Sequence, residues 1–82
     1  MKTIYQLYVW EWNPIAYNYE QKPLKAYDTK EEAKASIKRR KCTSDRMCYY
    51  VEEQCIDRRG ICTTSMKIME KDAHGFRDGN DM

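Results

Sequence analysis

One segment of this chain carries the marks of a helix, and the stretches on either side of it carry the marks of strands. Residues 28–41 read Asp-Thr-Lys-Glu-Glu-Ala-Lys-Ala-Ser-Ile-Lys-Arg-Arg-Lys. Asp28 or Thr29 can accept from the free N–H groups of a first turn. Glu31 and Glu32 stand where the positive end of the helix dipole favours acid, and Lys38 to Lys41 stand where the negative end favours base. Ala33, Ser36 and Ile37 fall on one side at i, i+3, i+4 spacing. That narrow apolar stripe suits one face of one sheet, so the segment predicts an α+β domain.

The flanking residues supply the sheet. Residues 4–12, Ile-Tyr-Gln-Leu-Tyr-Val-Trp-Glu-Trp, are β-branched and aromatic and predict a first strand. Tyr5, Leu7 and Val9 point one way, while Ile4, Gln6, Tyr8, Trp10 and Trp12 point the other. Asn13-Pro14 ends the strand, since proline has no N–H for the ladder and asparagine favours a turn. Residues 15–20 read either as a wide connection or as the start of the next strand, which is placed at 22–27. After the helix, 42–46 is a polar connection and 47–56 a third strand. Asp57-Arg58-Arg59-Gly60 is a hairpin turn, Gly60 being free to take positive φ, and 61–69 is the fourth strand. Matching the more apolar faces of that hairpin pairs Cys55 with Cys62, Val51 with Met66 and Tyr49 with Ile68, because a one-residue slip turns one set outward. From Glu70 the periodicity ends. The expected architecture is β-β-α-β-β: about four antiparallel strands with one helix packed on one face, a single domain over 1–69 and a flexible tail over 70–82.

Bulk properties narrow the function classes. Eighty-two residues give one domain with a small core. A formal charge of +2 is too small to imply nucleic-acid binding by itself and argues against a DNA mimic. No apolar run approaches the roughly 20 residues that cross a bilayer, so no membrane partner is expected. The opening Met-Lys-Thr-Ile-Tyr-Gln shows no signal-peptide core, so a cytoplasmic setting is expected. Cys42, Cys48, Cys55 and Cys62 then read as reduced thiols, although a cross-strand Cys55–Cys62 disulfide is sterically conceivable.

Catalytic and metal chemistry find no footing. Zinc knuckles place two cysteines two to four residues apart, whereas five, six and six residues separate the successive cysteines here. The single histidine, His74, lies in the expected tail with nothing to orient it as a base. Glu52 and Glu53 are neighbours in a strand and so face opposite ways. No glycine-rich phosphate loop is present. The expectation is a protein that is not an enzyme and uses neither metal nor cofactor.

Two surface features remain. Lys30, Lys34 and Lys38 form an i, i+4 row continued by Lys41, with Arg39, Arg40 and Arg46 close by. The row suits contact with phosphates or an acidic protein, or is a solvated helix face whose bases suit the dipole. If the helix covers the Tyr5/Leu7/Val9 side, then Tyr8, Trp10, Trp12 and Tyr50 stand on the open side, where Tyr17 and Tyr19 can join them. Exposed ring clusters are enriched in binding hot spots and can also stack unpaired bases. Burial of the rings under residues 15–21, under the tail or in a homodimer is the plain alternative.

The first strand, the Ala-Tyr-Asp-Thr-Lys-Glu-Glu-Ala-Lys step at 26–34 and the tyrosine-rich hairpin resemble small proteins of phages and other mobile elements, among them some anti-CRISPR proteins. The likeness is one of pattern over residues 3–69. It implies a stoichiometric inhibitor that docks on a large host protein or nucleoprotein complex. The expected binding residues are Tyr8, Trp10, Trp12 and Tyr50 as apolar anchor, with Lys34, Lys38, Arg39 and Lys41 as the steering edge. A nucleic-acid-binding module and a structural homodimer are the alternatives.

Overall fold

A computed structural model describes residues 2–79. The element order is β1 (Lys2–Asn13), β2 (Asn18–Tyr27), α1 (Lys30–Arg39), β3 (Met47–Ile56), β4 (Cys62–Asp72) and β5 (Gly75–Asp78). The five strands form one antiparallel sheet in the order β2-β1-β3-β4-β5. The chain is therefore α+β as expected, with five strands in place of about four.

The helix forms where its local signals lie. Thr29 is the N-cap: its hydroxyl accepts from the Glu32 N–H at 3.2 Å and donates to the Glu32 carboxylate at 3.0 Å. Ala33, Ser36 and Ile37 are its buried residues. Ala33 and Ile37 share one core cluster with Leu7, Val9, Tyr49, Val51 and Met69. Tyr27 on β2 reinforces this seam by donating from its hydroxyl to Ser36 Oγ at 2.6 Å. At the other end of the helix the Lys71 ammonium, reaching over from β4, donates to the carbonyls of Lys38 (2.6 Å) and Arg40. Those oxygens have no partner within the helix, and a cation is the donor the dipole favours there.

Three expectations give way. The segment that began as either connection or strand is a turn over 14–17, and β2 starts at Asn18 rather than at 22. The β3–β4 register is not the expected one: Cys55 faces Thr64, Val51 faces Met69 and Tyr49 faces Lys71, with Cys62 opposite Ile56. Irregularities between Val51 and Glu52 and between Cys55 and Ile56 shift the pairing, so no single offset holds along the hairpin. Finally, the stretch expected as a tail from Glu70 is largely sheet. β4 continues to Asp72, and a tight turn at Ala73-His74 leads into β5. The Asp72 carboxylate accepts from the His74 N–H at 2.8 Å, and Gly75 takes a φ of 132° that a side chain rarely permits. Gly79 passes so close to β4 that an added Cβ would lie 2.7 Å from the Ile68 carbonyl oxygen. Residues 80–82 of the expected tail lie outside the described residues.

β5 is also fastened to the helix. Lys34 pairs at 3.2 Å with Asp78, which is buried, and the Lys38 ammonium lies 5.2 Å from the centroid of the Phe76 ring. The basic row of the helix thus spends two of its members inside the fold.

Candidate binding surface

Side-chain alternation along β1 sends Leu7 and Val9 into the helix-covered core and Tyr8, Trp10 and Trp12 to the open face. Antiparallel pairing brings matching residues beside them. Tyr8 faces Tyr50, Trp10 faces Cys48 on one side and Gln21 on the other, and Trp12 faces Tyr19. Tyr8 and Tyr50 stack with centroids 5.1 Å apart and planes at 20°. Trp10 and Tyr19 stack at 5.9 Å and 17°. Trp12 meets Tyr19 edge-on at 5.3 Å and Tyr17 edge-on at 6.1 Å. The result is two groups of rings on one face, Tyr8 with Tyr50 across β1 and β3, and Trp10 and Trp12 with Tyr19 and Tyr17 across β1, β2 and the turn between them.

Polar ends are satisfied at the rim. Gln54 donates to the Tyr8 hydroxyl at 2.8 Å and Gln21 donates to that of Tyr50. Burial pushes the Tyr50 hydroxyl above its usual range, so it stays neutral at physiological pH. The guanidinium of Arg46 lies 5.3 Å from the centroid of the Trp12 ring, a cation–π contact at the β1 end of the face.

The turn at 14–17 adds to this surface. Asn13 Oδ1 accepts from the N–H groups of Ile15 (2.9 Å) and Ala16 (3.3 Å). Tyr17 then adopts a φ of 54°, the one left-handed non-glycine residue among those described. A bulky residue there is strained, and such strain gathers where function holds it. Ile15 is 94% exposed and Tyr17 82%, while Trp10 and Tyr19 each keep 43%. The apolar surface therefore stands open on this side.

The other half of the open face is ionic. Arg77 on β5 donates to Glu70 at 3.0 Å and to Asp72 at 2.6 Å, and Lys67 pairs with Glu70 at 3.1 Å. The Arg77 hydrogen bond, helped by the His74 N–H, holds the Asp72 carboxyl down to about 2. Lys67 and Arg77 hold Glu70 below its usual range as well. Burial and then the negative charges of Glu70 and Asp72 push the neighbouring Cys48 thiol up, which keeps it protonated and a poor nucleophile. All four cysteines are free thiols.

The structure brings Tyr8, Trp10, Trp12 and Tyr50 together in one surface. It does not bring Lys34, Lys38, Arg39 and Lys41 to that surface. They belong to α1 and the residues just after it, on the opposite side of the sheet. Lys34 and Lys38 are engaged with β5, whereas Arg39 and Lys41 are exposed. Arg46, assigned by sequence only to the basic cluster, is the cation that does reach the rings. Tyr17 and Tyr19 do join the rings, as the sequence allowed, and Ile15 is the addition; its signal was the tight turn marked by Asn13-Pro14, which folds 18–27 back along β1.

No helix among the described residues is long and apolar enough to cross a membrane. Comparison with models of protein families, with curated proteins and with solved structures finds no match.

Proposed function

We propose that this chain is a non-enzymatic binding protein, an inhibitor of the anti-CRISPR type encoded by a mobile element, which docks on a host protein or nucleoprotein effector. The docking surface is the aromatic half of the open face: Tyr8, Trp10, Trp12 and Tyr50, extended by Tyr17, Tyr19 and Ile15. The observation that carries this reading is the combination of a pre-stacked ring set with a strained, outward-facing tyrosine at its edge. Rigid rings already held by neighbours lose little entropy on binding, so more of the buried area appears as affinity. Arg39 and Lys41, on the far side, act at a distance by steering encounter rather than by touching the same partner surface.

The nucleic-acid reading draws less support from the same geometry. Stacked bases need cations beside the rings for their phosphates. Here the exposed bases of the helix lie across the sheet, and Arg46 is the one cation on a ring of this face among the described residues, while Lys67 and Arg77 are spent on Glu70 and Asp72.

The test is capture from a lysate of the host with tagged protein, split into nuclease-treated and untreated halves. A stoichiometric protein retained after nuclease by the wild type, and lost from Trp12→Ala and Tyr17→Ala that remain folded by circular dichroism, is the expected result. Retention of nucleic acid alone, or of proteins that nuclease releases, would overturn it.

A further inference from the structure

Where the loop over 42–46 enters β3, a groove of about 250 Å³ on the open face is lined by Trp10, Tyr19, Asp45 and Asp72. Arg46 and Cys48 also line it. That volume lies below the roughly 300–1,000 Å³ typical of sites for whole small molecules, and suits a single side chain. We propose that this groove receives an arginine side chain of the protein partner, its guanidinium lying against the exposed part of the Trp10 ring and pairing with Asp45. The inference rests on the docking reading above and names the chemistry at one point of that surface.

Three observations support it. The first is complementarity of shape and charge. Trp10, stacked on Tyr19, keeps 43% of its surface open, and a planar guanidinium stacks on an indole better than a compact ammonium. The lining holds Asp45, Asp72 and Arg46, and with Asp72 paired to Arg77 the carboxylate left unpaired in it is that of Asp45. The negative field of Glu70 and Asp72 reaches the Cys48 thiol in the lining, where it adds to the upward push of burial.

The second is that the fold already makes each half of this contact once near the groove. Arg46 lies over Trp12, and Arg77 lies between Glu70 and Asp72. Asp72 is thereby committed to Arg77, so it contributes charge rather than a free oxygen.

The third is that Asp45 forms no ion pair or hydrogen bond among the described residues and is exposed beside Trp10, which keeps 43% of its surface open. An incoming guanidinium would therefore meet an unpaired carboxylate and a partly open indole lining the same groove.

The experiment is a titration followed by heteronuclear NMR of the labelled full chain. The probes are acetyl-arginine amide, its neutral isostere acetyl-citrulline amide, and adenosine monophosphate. Saturable shifts at the Trp10 indole N–H and the Cys48 amide with the arginine probe, at least fivefold weaker with citrulline, are the expected result. Asp45→Asn, a loop substitution at an exposed site, should weaken the arginine response severalfold while leaving the rest of the spectrum in place. Equal responses to arginine and citrulline, or an arginine response indifferent to Asp45→Asn, would overturn the inference. So would a response at Trp10 to the nucleotide alone, which would point to base stacking. Because the titration reads the groove without any captured partner, it can fail while the docking surface stands, and lysate capture can fail while the groove binds arginine.

Discussion

The two faces of the sheet are built from the same strands and solve opposite problems. The covered face uses Leu7, Val9, Val51 and Met69, all nearly inaccessible, with Ala33 and Ile37 of the helix set against them. Aliphatic side chains there let the helix approach closely and interdigitate. The open face uses rings, which shelter one another by stacking and need no covering element, and an ion cluster whose members satisfy one another. The covered face is where folding free energy is concentrated. The open face holds preformed surface whose burial is left incomplete. The difference teaches that an exposed aromatic face can be structurally self-sufficient and still available.

The sharpest way to separate the two faces is to damage one and read both properties. Ile37→Ala, at a fully buried site, should cost about 3 kcal/mol of stability, read by urea denaturation, while the protein that remains folded binds as before. Trp10→Ala should do the reverse. It should weaken partner binding by about 2 kcal/mol or more, the scale of an aromatic hot spot, while stability falls by less than half that amount. Lys41→Ala should change affinity far less, chiefly through the association rate and only at low salt. Calorimetry giving equal losses for Trp10→Ala and Lys41→Ala would end the distinction between anchor and steering charge. Lys34 does not serve as that control, because its pairing with buried Asp78 makes it part of the fold.

Smaller effects test how each face is held at its edges. Lys71→Met removes the ammonium that serves two carbonyls at the end of the helix and should cost about 1–2 kcal/mol, as for hydrogen bonds from a charged donor. Tyr17→Gly relieves a left-handed conformation but frees the unfolded chain, so stability should move by less than about 1 kcal/mol. Partner binding should fall nonetheless, because the ring is gone. Unchanged binding would remove the turn from the surface.

The ion cluster gives the smallest and most specific signature. Glu70 and Asp72 have depressed carboxyl values in the fold, so their contribution is present above the ordinary carboxylate range. The Asp72 share is lost as pH falls from about 3.8 through about 2, and the Glu70 share as pH falls below the ordinary glutamate range. Arg77→Gln should therefore lower stability near neutrality, and its deficit against the wild type should shrink across that acid window. A deficit that stays constant from pH 5 to pH 2 would show that Arg77 acts by packing alone.

Particular residues show how far local signals reach. Thr29, Glu31, Glu32 and the bases after Ser36 defined the helix because capping and dipole effects act within a turn. The third strand, 47–56, was legible to the residue because a stretch holding Tyr49, Tyr50, Val51 and Ile56 is bounded by a polar loop and a glycine turn. The grouping of Tyr8, Trp10 and Trp12 on one face followed from alternation alone. The fifth strand was not legible, since Gly75–Asp78 holds a single large apolar residue, Phe76. Its docking comes from partners distant in sequence: Lys34, Lys38 and the backbone of β4. The hairpin register escaped because matching apolar faces assumes an unbroken ladder, and two irregularities intervene.

By itself, then, the sequence determined the α+β class, the presence and place of the helix, though it runs over Lys30–Arg39 within the expected 28–41, and which side chains of β1 travel together. Each of these depends on interactions between residues a few positions apart. Tertiary structure alone decided that the basic helix and the aromatic surface lie on opposite sides of the sheet. It also decided that two of the helix lysines serve β5, and that Arg46 rather than Lys34 stands beside the rings. Those outcomes depend on how distant segments meet, and a periodic pattern says which residues share a face without saying what that face will be packed against.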